Sequence, residues 1–330
     1  MRMKTPSRKL LLTWGIPILT LALLPLGLGG NQFVMGILIL CLIWGAVTTN
    51  WDLLMGYGGI FSFGQIAFFT IGAYGSALIA KNFGISPWLT MWAGGSIAAL
   101  VGFLIGLPCL RLKGVYPAVV TFALHMTLAP VIRAGEPIGT GGAGSMVGIP
   151  PLAIGDFVFT VTNRVPYYYV ALGIFIGIMV VTYLIINSRF GLGFVALRDA
   201  NPAAKSLGVD DYRSKLILFA TSAFMTGLMG GFYAHYLQLL SHYVLGLDNF
   251  VLALVILVIG GLGRFPGAAI AAFIFVFLNE ALRPLETGRA IVLGSIVIAA
   301  IIATPQGLMG IPDMVRNYFR KRKPIVEQTQ

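Results

Sequence analysis

The sequence predicts an all-α polytopic membrane protein with about ten transmembrane helices and both termini in the cytoplasm. Of the 330 residues, 58% are hydrophobic and only 10% are charged, and the mean hydropathy is +0.90. Soluble domains carry roughly 25% charged residues, so this chain has too few charged residues to form the water-exposed surface of a soluble domain. The apolar residues also form long runs, and the basic residues gather between these runs.

The apolar runs are long enough to cross a membrane, because about 20 helical residues span a hydrocarbon core of about 30 Å. Charged residues and Gly/Pro positions divide the chain into ten candidate spans. They lie near residues 10–28, 33–50, 63–80, 88–110, 115–134, 165–187, 213–238, 249–263, 265–282 and 289–304. The first is expected to be a retained helix, since residues 27–30 (G-L-G-G) match a signal-peptidase site poorly.

The lysines and arginines predict the orientation of these spans. With the N-terminus in the cytoplasm, 17 of the 22 basic residues fall on the cytoplasmic side. The others are Lys81, Arg133, Arg164, Arg283 and Arg289. Cytoplasmic loops of membrane proteins are enriched in Lys and Arg, so this distribution supports ten spans with both termini inside. It also explains the net charge of +11 without a nucleic-acid partner.

One polar segment, residues 188–215, interrupts the apolar sequence and carries five basic residues. It contains its own helix signal: Asn201 suits an N-cap, Pro202 the first helical position, and Gly208 the left-handed residue that ends a helix. A rigid surface helix between two spans more often docks a partner than merely connects. The chain is therefore interpreted as a single transmembrane domain, residues 1–330, with a cytoplasmic docking segment at 188–215.

Enzyme and metal-site motifs are missing from the sequence. No Gly-Lys dipeptide occurs, so there is no G-x-x-x-x-G-K-[ST] loop for the phosphates of ATP. The histidines form no H-E-x-x-H pattern, and the two cysteines lack metal-ligand spacing. We expect no catalytic site, metal or cofactor in this chain; an intramembrane hydrolase is a poorly supported alternative.

Six short motifs occur between about residues 37 and 313. In order, they are 53–65 (L-L-M-G-Y-G-G-I-F-S-F-G-Q), 110–116 (L-R-L-K-G-V-Y), 140–144 (T-G-G-A-G), 198–209 (R-D-A-N-P-A-A-K-S-L-G-V), 260–263 (G-G-L-G) and 305–310 (P-Q-G-L-M-G). Their order resembles that of the permease subunits of ATP-binding cassette (ABC) importers for branched-chain amino acids. That family also includes urea, amide and aromatic-acid permeases. Asp199 and Asn201 stand where the family tends to have glutamates.

The resemblance implies an ATP-driven importer in the bacterial plasma (inner) membrane. Its expected partners are a homologous second permease subunit, two ATPase subunits that hydrolyse the ATP, and a periplasmic or extracellular substrate-binding protein. The 188–215 segment would couple this chain to the ATPase. The coupling residues would be Arg198, Asp199, Asn201, Pro202, Ala203, Ala204, Leu207 and Gly208. The expected cargo is branched-chain amino acids or related small polar solutes.

Candidates for the substrate path come mostly from the first motif. They are Gly56, Gly58, Gly59, Gly64, Gln65, Phe68, Tyr74 and His125. Broken helices in transporters expose backbone groups that bind substrate or act as hinges, although close helix packing would also require the glycines. Phe61, Phe63 and Phe69 could line the same path, and His125 could instead bond a neighbouring helix.

Two features leave alternatives open. Glu280 lies in an apolar span one turn before Arg283, and an ionisable group at the centre of a membrane costs about 2.5–3.5 kcal/mol. The two residues could form a structural pair, or Glu280 and His125 could serve a proton-coupled secondary transporter. The glycine-rich loop 135–166 is a candidate contact for the binding protein or a disordered connection.

Overall fold

The computed structural model describes residues 8–112, 114–188, 190–194, 210–285, 288–303 and 307–310. Helices of 14 to 27 residues form most of this part of the chain. They are α1 (Arg8–Leu28), α2 (Gln32–Asp52), α3 (Gln65–Phe83), α4 (Pro87–Cys109), α5 (Tyr116–Ala134), α6 (Val165–Asn187), α7 (Asp211–Leu237), α8 (Leu247–Gly260), α9 (Gly267–Ala281) and α10 (Gly288–Ala303). Each helix coincides with one candidate span from the sequence.

Six of the described helices are long and apolar enough to cross a membrane. They are α2, with a π-helical extension to Tyr57, and α3 to α7. Helices α8 and α9 and the part of α1 from Pro17 are shorter apolar helices. The all-α polytopic membrane fold is thus confirmed. The count of ten spans and the cytoplasmic position of both termini stay predictions.

Helices α3, α4 and α7 pack closely because they meet through glycines. A Cβ atom on Gly72 of α3 would overlap the backbone of Gly227 of α7, and one on Gly94 of α4 would overlap the carbonyl oxygen of Gly72. A Cβ on Gly102 would lie 2.7 Å from that of Ala223. Small residues allow such close approach where lipid provides no hydrophobic drive for helix association. These three helices form the tightest part of the core.

The loop between α5 and α6 is folded, so it is not the disordered connection that the sequence allowed, and its contact with a binding protein stays a prediction. Strand β1 (Ser145–Val147) pairs antiparallel with a strand after α7, β4 (Leu239–Ser241). A short hairpin within the loop joins β2 (Ala153–Ile154) to β3 (Phe157–Val158). Lys81 donates to the carbonyl of Val147 at 3.0 Å, and the Trp88 indole donates to that of Ala153 at 2.7 Å. The loop is therefore fastened to both ends of the α3–α4 connection.

Candidate translocation site

The helical path of the chain is interrupted between α2 and α3, within the first sequence motif. One π-helical turn (Leu53–Tyr57) follows α2, and residues 58–64 are not helical. Gly59 has φ +63°, the left-handed conformation that glycine adopts without strain. The glycines of this motif therefore take part in a helix break, which is one of the two interpretations that the sequence left open. Non-helical backbone of this kind is tolerated in a membrane only where protein or water covers it.

Three of the six motifs meet at this break. The backbone N–H of Gly263 donates to Asp52 Oδ1 at 2.7 Å, and the N–H of Phe265 donates to the Tyr57 hydroxyl at 2.9 Å. A side chain on Gly56 would overlap both Asp52 and Gly263. A Cβ on Gly307, in the last motif, would overlap the backbone of Gly261. The glycines of separate motifs are thus explained by one contact region between the break and the α8–α9 turn.

Gly58 connects the break to α7. A Cβ at this position would lie 2.6 Å from Leu218 Cδ2 and 2.7 Å from the carbonyl oxygen of Leu54. The second distance involves backbone, which cannot move aside as a side chain can. Only glycine therefore fits at position 58, because Leu218 and the preceding π-helical turn leave no space for a side chain.

Gln65, the first residue of α3, lies in a buried polar group between α2, α3 and α7. Its Nε2 donates to Ser222 Oγ at 3.0 Å and to Thr226 Oγ1, and Ser222 donates to the carbonyl of Asn50 at 2.9 Å. Gln65 Oε1 and both side-chain polar atoms of Asn50 are buried without a hydrogen-bond partner in the described protein. Buried polar groups in native proteins are almost always paired, so these atoms mark a place where a polar ligand or water can bind.

His125 lies in a group of rings that we call the aromatic cluster: Trp51 of α2, Phe63 of the break, Phe122 and His125 of α5, and Phe250 of α8. Both ring nitrogens of His125 are buried without a hydrogen bond of standard geometry, although the backbone of Leu245 faces the ring. The structure thus gives His125 no hydrogen bond of standard geometry to a neighbouring helix, and its role stays a prediction. The N–H of Phe63 donates to Thr121 Oγ1 at 2.8 Å, which ties the break to α5.

The remaining path candidates are dispersed. A Cβ on Gly64 would lie 3.4 Å from that of Thr121, so Gly64 faces α5 near the aromatic cluster. Phe68 is buried and packs edge-on against Phe219 of α7, with ring centroids 5.5 Å apart. Tyr74 is buried with its hydroxyl unpaired, whereas Phe61 is exposed. The structure thus brings Gly64 and His125 into one region and leaves Phe68 in helix packing.

Several residues of this region were missed by sequence reasoning. Trp51, Phe122 and Phe250 complete the aromatic cluster, and Ser222 and Thr226 hold Gln65. Aromatic and hydroxyl residues are frequent throughout the spans, so composition could not distinguish these five. The position of Trp51 just before the helix break was the only local signal.

A second buried histidine, His235 of α7, contrasts with His125. Its Nδ1 lies 2.7 Å from the carbonyl oxygen of Pro150, and its Nε2 lies 2.9 Å from Ser76 Oγ and 3.1 Å from Thr90 Oγ1. A carbonyl only accepts, so Nδ1 carries the hydrogen. The side chain is fully buried and both nitrogens are paired. His235 therefore has the bonding expected of a structural residue.

The eight predicted coupling residues, from Arg198 to Gly208, lie outside the described residues. The ends of the 188–215 segment are described. An apolar cavity of about 120 Å³ lies between these two ends. It is lined by Phe190 and Phe194 on one side, and by Ser214 and the nearby Leu218 of α7 on the other. The Tyr212 hydroxyl donates to the carbonyl of Leu107 at 2.7 Å, which joins the start of α7 to the end of α4.

Glu280 and Arg283 form the ion pair that the sequence suggested. Arg283 Nη1 lies 2.8 Å from Glu280 Oε1, and the arginine side chain is largely exposed. No group of three or more metal-binding side chains is found among the described residues. The ionisable groups of this end of α9 thus neutralise each other.

Apolar spans, a broken helix and buried polar groups without partners together define a membrane transport protein. Comparison with known sequences gives the family. The chain belongs to the family described as "Branched-chain amino acid transport system / permease component", whose profile matches residues 33–304. Its members are transport components, and the match includes the helix break, Gln65 and the whole aromatic cluster.

Individual relatives support the same assignment. The chain is 29% identical over 281 residues to the high-affinity branched-chain amino acid transport system permease protein LivM of Escherichia coli (strain K12), covering 78% of this chain and 65% of that protein. LivM of Salmonella typhimurium gives the same values. A probable branched-chain amino acid transport permease protein, LivH, of Methanocaldococcus jannaschii is 22% identical over 268 residues, covering 76% and 83%. This chain thus spans 65% of the length of the LivM proteins. No solved structure matches it.

Proposed function

We propose that this chain is a membrane-spanning permease subunit of an ABC importer, and that it carries branched-chain amino acids or related small polar solutes into the cell. The family match over residues 33–304 is the observation that carries the proposal. The names of the LivM and LivH relatives support branched-chain amino acids as the first cargo to test. The solute would pass beside the helix break, where the unpaired polar atoms of Asn50 and Gln65 support the proposal.

The energy for transport comes from separate ATPase subunits that contact the 188–215 segment. Leu218 supports this assignment, because it lines the cavity at the ends of that segment and also contacts Gly58 in the helix break. A displacement of the 188–215 segment would therefore move the helix break through the side chain of Leu218. The coupling residues Arg198, Asp199, Asn201, Pro202, Ala203, Ala204, Leu207 and Gly208 would receive that displacement.

The complete transporter would contain this chain, a homologous second permease subunit, two ATPase subunits and a substrate-binding protein, in the inner membrane of a bacterium. The ATP is hydrolysed by the partner subunits, and this chain holds no cofactor. The folded loop 135–166 is the proposed contact for the binding protein. Its hairpin exposes Ile154, Phe157 and Val158, which is a surface that a protein partner can cover.

The proposal is tested by uptake of leucine into proteoliposomes that contain the complete transporter. We expect uptake to require ATP inside the liposomes together with the binding protein outside, and the purified chain alone to hydrolyse no ATP. Gly208→Glu should abolish both uptake and co-purification with the ATPase. Gly30→Glu is the matched control, because a side chain at Gly30 meets nothing within 4 Å. Uptake by the Gly208→Glu transporter would disprove the coupling assignment.

A further inference from the structure

Phe250 is the centre of the aromatic cluster. Its ring centroid lies 5.3 Å from those of Phe122 and His125 and 5.7 Å from those of Trp51 and Phe63. Phe63 belongs to the break between α2 and α3, and Phe250 follows the short connection between α7 and α8. The cluster therefore lies where the helix break meets the first turn of α8. Interrupted helices are the usual position of solute sites in transporters.

The packing of the aromatic cluster leaves the imidazole nitrogens of His125 without good hydrogen bonds. The imidazole is fully buried between Phe122 and Phe250, and neither nitrogen has a hydrogen bond of standard geometry, although the backbone of Leu245 faces the ring. A buried polar group with poorly formed hydrogen bonds costs free energy, whereas an apolar residue of similar shape at the same place would not. A ligand that offers a hydrogen bond to His125 recovers that free energy. The imidazole therefore favours opening of the cluster when such a ligand arrives.

Helix α5 is well placed to move away from the cluster. Only 28% of its most apolar stretch is buried, compared with 78% for α2, which carries Trp51. Segments with little buried apolar contact open at the lowest free-energy cost. Phe122 and His125 are thus carried by a helix of which this chain buries little, whereas Trp51 is carried by the most buried of the six described candidate spans.

We propose that the aromatic cluster is the closed gate of the translocation path and that His125 contacts the cargo when α5 and α8 separate. The parted rings would receive the aliphatic side chain of an amino acid. The imidazole N–H would donate a hydrogen bond to the carboxylate of the same amino acid. The contact is transient, because closing of the rings removes the space. The inference rests on the proposed function and adds the gate, its residues and the role of the imidazole.

The first test separates a contact with cargo from a structural role of His125. His125→Phe should leave the unfolding temperature of the complete transporter unchanged or raised, because an unpaired polar group is replaced by a ring. Leucine uptake should fall about tenfold or more, the loss expected for one hydrogen bond to a charged group. Uptake at the wild-type level, or a loss that only follows a lower unfolding temperature, would overturn the role of His125.

His235→Phe is the matched control for this test. Both histidines are fully buried, but His235 has partners on both nitrogens. The control should lower the unfolding temperature, which shows that the assay detects the loss of a buried, paired imidazole.

The second test concerns the size of the gate. Phe250→Ala should increase the ability of phenylalanine to compete with leucine for uptake, and Phe250→Leu should do so less. Phe232→Ala is the control, since Phe232 is also buried but packs against Tyr167 and Tyr236. An unchanged competition ratio in both Phe250 variants, or the same change in Phe232→Ala, would overturn the gate.

Failure of the gate and failure of the proposed cargo give different results. If the wild-type transporter takes up none of the branched-chain amino acids, the cargo assignment is wrong. The His125 and Phe250 variants are then compared with their controls by using the solute that the wild-type transporter accumulates. The same outcomes as above then support or overturn the gate.

Discussion

His235 donates a hydrogen bond from Nδ1 to the carbonyl oxygen of Pro150 across 2.7 Å, and this bond joins the core of α7 to the folded loop between α5 and α6. The Tyr167 hydroxyl adds a second link, since it donates to the carbonyls of Phe159 and His235. The loop is therefore part of the fold, and it presents its exposed hairpin from a fixed base.

The bonding of His235 predicts the stability of that loop. His235→Ala removes the partner of Pro150 and one partner of Ser76 and of Thr90. The free energy of unfolding should fall by about 1–3 kcal/mol for each buried group left without a partner. Limited proteolysis should cut the loop 135–166 faster in this variant, and Ser76→Ala should have a smaller effect. Equal cleavage rates in wild type and His235→Ala would contradict this explanation.

The glycine contact between α3 and α7 predicts a second stability difference. Gly72→Ala should lower stability by at least about 1–3 kcal/mol, because the new methyl group would overlap the backbone of Gly227 and helices cannot separate without losing their packing. Gly177→Ala, in α6, is the control, since nothing lies within 4 Å of its added Cβ. That variant should be neutral or slightly stabilised, as alanine favours helix over glycine. Thermal unfolding in detergent measures both, and similar losses in the two variants would argue against close packing.

The fold was largely predictable, whereas the site was predictable only in part. Long apolar runs and their flanking charges located the ten long helices of the described residues, because the bilayer permits few other structures. The glycines Gly56 and Gly58 suggested a helix break from the sequence, but they could not distinguish it from close helix packing, because both need glycine. The aromatic cluster was not predicted, because Phe250 is far from Phe63 in sequence and phenylalanine is common in every span. Long-range contacts between common residues leave no local pattern to read.

The distribution of basic residues predicts a topology that remains to be measured. Single cysteines at Gly144 and Gln330 should react with a membrane-impermeant thiol reagent from opposite sides of the membrane, Gly144 from outside and Gln330 from inside. The native Cys41 and Cys109 are both buried, so they should add little background. Labelling of both positions from the same side would exclude the ten-span arrangement.

The ion pair of Glu280 predicts the outcome of a test between ABC import and proton-coupled transport. Glu280→Gln removes the acceptor that lies 2.8 Å from Arg283, so it should reduce the amount or stability of the protein. The effect should be small, because exposed ion pairs contribute about 0–1 kcal/mol. Arg283→Gln should give the same reduction, and the double variant should be no worse than either, since both changes remove one interaction.

The pH dependence of uptake distinguishes the two mechanisms. If Glu280 only pairs with Arg283, the profile of uptake against pH should have the same shape in wild type, in Glu280→Gln and in the double variant, after correction for protein amount. A proton carrier would behave differently, because its removal abolishes the pH dependence at normal protein levels. That result, together with uptake in the absence of ATP, would replace the ABC importer by the proton-coupled alternative and would assign Glu280 to the path.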